Sequence, residues 1–164
     1  MNHAEGASSG AEARAAEAVV QHHTHMSGTL GRQVGSLIAA AAEGDTKASN
    51  DARDDLLEWC ETELLPHAQA EEATLYPTAH ARSDARLLVD GMLAEHRLIL
   101  GLVREVGAAE GVVQVAAEAR ALQAAFDSHL TKENEQLVPL LESAPDFSLA
   151  EMLDGMHEIL GQDR

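Results

Sequence analysis

The chain contains two similar stretches, HAQAEEATLYP at residues 67–77 and HLTKENEQLVP at residues 129–139. In each stretch a glutamate follows the first histidine by four residues, a leucine follows it by eight and a proline by ten. Side chains four residues apart are neighbours on one face of an α-helix. Each stretch therefore predicts a helix on which an imidazole and a carboxylate lie side by side.

The helix face that carries each histidine–glutamate pair is otherwise apolar. Around the first pair it includes Leu57, Cys60, Leu64 and Leu75, and around the second it includes Val115, Leu122, Phe126 and Leu140. A charged carboxylate in a core is costly unless it is paired or bound to a metal. The pattern therefore indicates that both pairs point into the interior of a helical protein, where they meet a partner.

The same helical periodicity extends over most of the chain. Apolar residues recur at spacings of three and four over approximately residues 15–42, 51–76, 85–106 and 112–141. Four long helices with short connections predict an all-α, up-down-up-down four-helix bundle. A shorter amphipathic stretch near the end of the chain predicts a short additional C-terminal helix.

Composition divides the chain into three parts. Residues 1–13 are small and polar without an apolar period, and we expect them to form a disordered lead-in. Residues 14–142 make up the bundle, and residues 143–164 contribute the helix that covers it. Within the second long helix we expect Pro66 to cause a kink or a bulge and Pro77 to end the helix.

Acidic residues outnumber basic ones, with 28 Asp and Glu against 11 Lys and Arg and a formal charge of −17 over 164 residues. This excess argues against sequence-independent binding of nucleic acids and against docking on an anionic membrane surface. The single cysteine, Cys60, excludes an internal disulfide and cysteine-based zinc or iron–sulfur sites. No apolar stretch approaches the ~18 residues that a membrane span needs. We therefore expect a soluble, cytoplasmic protein.

The two remaining long helices each place a histidine on their apolar face. In the third helix this residue is His96. In the first helix a projection at about 100° per residue puts His23 near the centre of the apolar stripe. His22 lies about 100° from that centre and is the alternative, whereas His25 faces solvent.

Four imidazoles and two carboxylates are thus expected to converge inside the bundle, and this set of ligands suits a pair of borderline metal ions. The predicted ligands are His23, His67, Glu71, His96, His129 and Glu133. The two carboxylates can bridge the ions while the histidines cap the ends. Because six protein ligands do not saturate two ions, positions remain for a small exogenous ligand. The ligand types favour non-haem iron, and manganese or zinc is less favoured.

The order of these residues resembles that of the hemerythrin-like, or HHE cation-binding, domain family in its bacterial form. The similarity runs from about residue 19 to residue 141 and includes the sequences LLPH (64–67) and EEATLYP (71–77). The resemblance implies a four-helix bundle around a non-haem di-iron centre with oxo or hydroxo and carboxylate bridges. It implies that the four histidines are terminal ligands and that Glu71 and Glu133 are the bridging carboxylates. It also implies O₂, peroxide or NO as the small ligand, and it does not identify a reductase partner.

Two positions depart from the oxygen carriers of this family. Met92 stands where the carriers have a second histidine, one turn before the ligand of the third helix. Glu133 follows its histidine by four residues, whereas the carriers have an aspartate after five. One ligand fewer leaves an iron more open. We therefore expect reaction with O₂, peroxide or NO rather than stable carriage of oxygen.

Five further residues flank the predicted ligands. Glu72, Glu95 and Glu135 project away from the apolar stripe, and we expect them to be solvated or to orient imidazole N–H groups. Tyr76 could serve as a proton or radical donor at the site, or it could pack under the neighbouring proline. Met92 is expected to line the pocket and to shape the open coordination position.

The sequence leaves three functions open. The first is a di-iron protein that binds or reduces O₂, peroxide or NO. The second is an enzyme, either a di-iron oxidase or oxygenase with a specific organic substrate or a catalase-like protein. The third is an iron- or redox-responsive interaction protein whose surface changes with metal loading.

Overall fold

The computed structural model describes the backbone of residues 3–144 and 147–160, and the side chains of residues 10–144 and 147–154. Within these ranges every regular element is helical, which confirms the all-α prediction. The α-helices are α1 (His3–Glu43), α2 (Thr46–Trp59), α3 (Leu65–Ala73), α4 (Leu75–Ala81), α5 (Arg86–Ala108), α6 (Val112–Lys132), α7 (Val138–Glu142) and α8 (Leu149–Leu160). The first π segment (Cys60–Leu64) joins α2 to α3, and the second π segment (Glu133–Leu137) joins α6 to α7. None of the described helices combines the length and the apolar character that crossing a membrane requires.

Helix α1 is longer than the sequence predicted. It begins at His3, so residues 3–13, which we expected to be disordered, belong to a helix in the structure. The carboxylate of Glu12 accepts hydrogen bonds from the Ser148 hydroxyl and the Leu149 N–H, each at 2.7 Å. A carboxylate at the N-terminus of a helix stabilises that helix. This contact joins the first turns of α1 to α8, and local sequence cannot reveal it because its partners lie at opposite ends of the chain.

Each π segment ends two residues before a proline, the first before Pro66 and the second before Pro139. A proline has no N–H and cannot donate the hydrogen bond that continues an α-helix. The chain passes this gap with a wider turn, in which the Leu65 N–H bonds to the Cys60 carbonyl five residues earlier. The corresponding bond closes the second π segment. The kink or bulge expected at Pro66 is therefore a π turn, and the helical path continues on both sides of it.

Pro77 does not end a helix, and that expectation is wrong. The break falls earlier, at Thr74, whose φ of −121° and ψ of −68° leave the helical region. The Thr74 hydroxyl bonds to the Ala70 carbonyl at 2.7 Å. Helix α4 starts at the next residue and holds Pro77 in its first turn, where the missing N–H would have had no helical partner. The first two residues of α4, Leu75 and Tyr76, are both buried.

The long helices surround one interior. Helix α1 packs against α2 and α6, and α5 packs against the same two helices. The buried apolar side chains form two clusters. The first apolar cluster includes Met26, Leu64, Ile99 and Leu130, and the second apolar cluster includes Ala16, Leu75, Met92 and Leu137. Leu149 of α8 joins the second apolar cluster, so this last helix packs against that side of the interior.

Candidate metal centre

A layer of six polar residues interrupts the apolar interior. The layer consists of His23, His67, Glu71, His96, His129 and Glu133, which are buried with 1–7% of their surface exposed. Along α1, α2–α4, α5 and α6–α7, these residues stand in the sequence between members of the first and second apolar clusters. We call these six residues the polar layer. The structure thus brings together all six residues that the sequence predicted as metal ligands.

The first group of ligand atoms comes from His23, His67, Glu71 and Glu133, and these atoms lie within 4.8 Å of one another. Glu71 Oε1 is 2.9 Å from His67 Nε2 and 3.6 Å from His23 Nε2. Glu133 Oε2 is 3.5 Å from His23 Nε2. Two imidazole nitrogens and two carboxylate oxygens therefore face one point, which is the arrangement that a single metal ion requires.

The second group of ligand atoms comes from Glu71, His96 and His129, again within 4.8 Å of one another. Glu71 Oε2 is 3.5 Å from His96 Nε2. The Nε2 atoms of His96 and His129 are 3.0 Å apart. Glu71 belongs to both groups, because it offers Oε1 to the first and Oε2 to the second. A carboxylate in this position can bridge two ions.

Three of these buried ligand atoms lack a hydrogen bond. Among the described residues, His67 Nε2, Glu71 Oε2 and Glu133 Oε2 are buried without a hydrogen-bond partner. A buried polar atom left in this state costs about 1–3 kcal/mol, and an isolated buried charge costs more. Two cations between the ligand atoms would satisfy all three. The residues present therefore fit a pair of metal ions.

Two of the imidazole rings are oriented by the residue that follows a glutamate of the polar layer. His96 Nδ1 is 2.8 Å from Glu72 Oε1, and His23 Nδ1 is 2.7 Å from Asn134 Oδ1. An oxygen acceptor keeps the proton on Nδ1 and leaves the Nε2 lone pair for a metal. Glu72 was expected in this role, but Asn134 was missed. When residues 129–139 are aligned with residues 67–77, Asn134 falls at the position of Glu72. This alignment could have predicted that Asn134 orients a histidine.

A third imidazole ring is oriented by Glu95, which was also expected. Glu95 Oε2 is 3.1 Å from His129 Nδ1, and the other carboxylate oxygen pairs with the ammonium group of Lys132. This ion pair holds the Glu95 carboxylate against the ring. Glu135 differs from the other two flanking glutamates, because it is exposed on the second π segment and lies outside the site.

His22, the alternative ligand of the first helix, lies outside both groups of ligand atoms. It is half-buried, and its ring centre is 5.1 Å from that of His67. Burial, and then the charge of His67, lower the pKa of His22 to about 4, so the ring is neutral at pH 7. The structure places His23 and not His22 among the ligand atoms. Met92 is buried in the second apolar cluster, a position that suits the lining role expected of it.

Tyr76 reaches into the polar layer from α4. Its hydroxyl donates a hydrogen bond to Glu133 Oε1 at 2.7 Å, and its ring stacks on that of His96 with centres 5.3 Å apart. Burial, and then the charge of Glu71, raise the pKa of Tyr76, so the phenol is protonated when no cation is near. This geometry is compatible with the expected role as a proton donor.

The two glutamates of the polar layer differ in charge. Burial opposes ionisation of Glu71, but the charge of His67 and the proximity of the His23 and His96 imidazoles lower its pKa well below the ordinary value. Burial, and then the charge of Glu71, raise the pKa of Glu133 to about 8. At pH 7 the metal-free layer therefore keeps a proton on Glu133 in place of a second negative charge. A cation would replace that proton.

Comparison with known proteins points to one family. Residues 14–141 match the family described as the Hemerythrin HHE cation binding domain. No curated protein and no solved structure shows significant similarity to the chain. The family match covers most of the chain and contains every residue of both groups of ligand atoms. It confirms the resemblance that the sequence motifs indicated.

Proposed function

Since this chain belongs to the hemerythrin HHE cation-binding domain family, we propose that it holds a non-haem di-iron centre and uses it to bind or reduce O₂, peroxide or NO. The observation that carries this proposal is the position of Glu71. Its two carboxylate oxygens belong to two different groups of buried ligand atoms. A site for one ion does not require the two oxygens of a carboxylate to face different groups of ligand atoms, whereas a carboxylate that bridges two ions does.

The proposed ligands divide between the two ions. His23, His67, Glu71 and Glu133 would hold one ion, and Glu71, His96 and His129 would hold the other. Imidazole and carboxylate ligands suit iron, with oxo or hydroxo and carboxylate bridges, and manganese or zinc is a less favoured occupant. When bound, the two irons supply electrons and coordination positions for the small ligand.

The protein itself orients the ligands, excludes water and holds protons. Carboxylate and amide oxygens fix three of the four imidazole rings, so that few atoms rearrange when a cation binds. The apolar clusters on the two sides of the polar layer keep bulk water from its ligand atoms. In the metal-free site the Tyr76 hydroxyl, bonded to Glu133 Oε1, holds a proton.

A pocket beside the site favours a small ligand. It has a volume of about 200 Å³, opens to the surface and is lined by Glu72, Tyr76, Pro77, His80, Val89 and Leu93. The Tyr76 side chain forms part of its wall and also contacts Glu133 in the polar layer. Since Tyr76 is only 2% exposed, its ring leaves little open path for a large molecule. Diatomic gases and peroxide fit this restriction better than a large organic substrate.

Metal content and reactivity test the proposal together. Anaerobic loading with Fe(II) should give two irons per chain by elemental analysis, and addition of O₂, hydrogen peroxide or NO should change the near-ultraviolet and visible absorption. Glu133→Gln should lose iron. Glu135→Gln changes an exposed carboxylate two residues away and should keep both irons. Fewer than two irons in the unchanged chain, or two irons with no response to any of the three ligands, would contradict the proposal.

The pocket also supports an enzymatic alternative. A small organic substrate could bind against Tyr76 and Leu93, which suits a di-iron oxidase or oxygenase. A catalase-like protein would instead release O₂ from hydrogen peroxide. Oxygen evolution by the loaded chain, lost in His129→Ala, would favour the catalase-like reading over simple binding. Oxygen consumption that depends on an added organic substrate would favour the oxidase.

Wider expectations accompany this proposal. We propose that the chain forms four long helical paths, α1, α2–α3, α5 and α6–α7, which run up-down-up-down. The packing of α1 and α5 against α2 and α6 supports this arrangement. We also propose a cytoplasmic location, which the single free and buried thiol of Cys60 supports. A centre that reduces its ligand needs a source of electrons, so we expect a reductase partner.

A further inference from the structure

The two groups of ligand atoms are unequal. The first contains four protein residues, whereas the second contains only His96, His129 and the shared Glu71. The ion of the second group would therefore have the poorer set of ligands. The hydroxyl of Tyr76 faces this group and belongs to a residue type that also binds metals through oxygen.

The distances around Tyr76 are those expected between ligands of one ion. Tyr76 Oη is 3.4 Å from His96 Nε2 and 3.4 Å from His129 Nε2. These two nitrogens are 3.0 Å from each other, so the three atoms form a nearly regular triangle. Nitrogen and oxygen ligands at about 2.0–2.2 Å from a shared ion lie roughly 3–3.4 Å apart for octahedral or tetrahedral angles. A hydroxyl hydrogen bond of good geometry would be shorter than the 3.4 Å between Tyr76 Oη and either nitrogen.

The single proton of the Tyr76 hydroxyl does not account for both of its contacts in this triangle. Glu72 and Glu95 hold the Nδ1 atoms of His96 and His129, and the two Nε2 atoms share one hydrogen bond, in which at least one of them is a lone-pair acceptor. The one proton of the Tyr76 hydroxyl is directed to Glu133 Oε1 at 2.7 Å. The phenol oxygen and at least one imidazole nitrogen therefore face each other as acceptors in a buried space. A cation that replaces the shared imidazole proton would be bound by all three atoms.

The tyrosine ring is held firmly in this position. Tyr76 is 2% exposed and belongs to the second apolar cluster, and its ring stacks on His96 with an angle of 23° between the planes. The helix break at Thr74 allows α4 to start at Leu75, one residue before Tyr76. Since the hydroxyl is placed by packing, a metal would meet it without rearrangement of the backbone.

We propose that Tyr76 is a ligand of the second metal ion and binds it as a phenolate. This inference rests on the proposed di-iron centre and adds a ligand to it. On binding, the O–H bond of Tyr76 breaks, an oxygen–metal bond forms and the proton passes to solvent, as in other metal sites with acidic ligands. One ion then has imidazole and carboxylate ligands alone, while the other also has a phenolate. An anionic oxygen ligand favours the ferric over the ferrous state of that ion.

The chain offers an unusually clean test, because Tyr76 is its only tyrosine. The iron-loaded, air-oxidised protein should show an intense visible charge-transfer band from phenolate to iron(III). Resonance Raman excitation within this band should show phenolate ring vibrations that shift when the protein is produced with ring-deuterated tyrosine. Zinc-loaded protein should show the ultraviolet difference spectrum of tyrosinate without any iron chromophore.

Variants provide the controls. Tyr76→Phe should lose the band and the labelled vibrations while the helical circular dichroism is retained. The double variant Tyr76→Phe with Leu87→Tyr restores one tyrosine at a position that is 85% exposed and should not restore the band. If Tyr76→Phe does not fold, the isotope shift in the unchanged protein decides the question by itself.

The outcomes separate this inference from the proposal on which it rests. Two irons per chain without any label-sensitive phenolate vibration would overturn the ligand role and leave the di-iron proposal standing. Tyr76 would then be only the hydrogen-bond donor to Glu133. Fewer than two irons per chain would overturn both. Two irons with label-sensitive phenolate vibrations would establish the ligand role.

Discussion

At the scale of single residues, the two glutamates of the polar layer occupy equivalent places in the sequence but have different roles. Glu71 and Glu133 each follow a histidine by four residues. Glu71 contributes to both groups of ligand atoms, whereas Glu133 contributes only to the first. The difference follows from one neighbour, because the second oxygen of Glu133 accepts the hydrogen bond of Tyr76. The symmetry of the two sequence stretches is therefore broken at the level of one hydroxyl group.

Asn134 offers a prediction at this scale. Asn134→Ala removes the oxygen that holds His23 Nδ1 at 2.7 Å, so the ring loses its fixed orientation and tautomer. Loss of such a contact typically costs about 10–100-fold in metal affinity. The affinity is measured by competition with a chelator of known strength. Gln136→Ala removes an exposed amide from the same π segment and should leave the affinity unchanged. Equal affinities in the two variants would contradict this role of Asn134.

The sequence predicted the six residues of the polar layer because periodicity alone constrains them. A histidine and a glutamate four apart on an apolar face must both enter the core, and helical projection separated His23 from His22. Their metal ligation stays a prediction. Periodicity could not predict the contact of Asn134 with His23 or that of the Tyr76 hydroxyl with Glu133, because each contact depends on an atom of a different helix. Periodicity describes which face a residue occupies, but it does not describe what that face meets.

At the scale of elements, the two π segments keep the helices aligned across the prolines. A π turn bonds residues five apart and so holds one residue more than an α turn. Leu130 before the second π segment and Leu137 and Leu141 in and after it are all buried, so the path turns the same face inward throughout. Pro66 and Pro139 indicated a disturbance, but apolar spacings of three and four fit a kinked α-helix and a π turn equally well. The form of the disturbance could therefore not be read from the sequence.

The second π segment leads to a deletion experiment. Deleting the exposed residue Gln136 should convert the π turn into an α turn and leave both flanks in register. We expect a folded protein that is less stable by about 3 kcal/mol, because Pro139 then stands inside a regular α-helix. We also expect weaker iron binding, because Glu133 begins this segment. Deleting exposed Ala121 within α6 should instead rotate all later residues by about 100° and unfold the bundle. Circular dichroism on heating and iron content measure both effects. Equal destabilisation by the two deletions would contradict this account of the π segment.

At the scale of the whole molecule, the polar layer divides one apolar interior into two. The first apolar cluster lies between α1, α2, α5 and α6, and the second is joined by α4 and α8. Each cluster by itself is small, and the layer between them is costly to bury without a counter-charge. The all-helical fold was predictable from the length and spacing of apolar stretches. The contact of Glu12 with α8 was not, since residues far apart in sequence carry no mutual periodicity.

Removal of metal should therefore lower the free energy of local unfolding first in the helix segments next to the polar layer. A ligand that binds only the folded state stabilises it by about 2.7 kcal/mol at a free concentration one hundred times its dissociation constant. We expect metal-free protein to unfold at lower urea concentration than loaded protein, and its backbone amides next to His23 and His96 to exchange faster than those at Leu30 and Val103.

The control for this prediction is a cavity in the first apolar cluster. Leu30 is fully buried there, and Leu30→Ala should cost about 2–5 kcal/mol in both the metal-free and the loaded protein. The difference between the two forms should stay the same, because the cavity lies outside the polar layer. If the metal-free and loaded proteins unfold at the same urea concentration, the layer does not depend on a cation. If instead amide exchange becomes faster by the same factor in all helices, the two apolar clusters unfold together. Unfolding then does not begin at the polar layer.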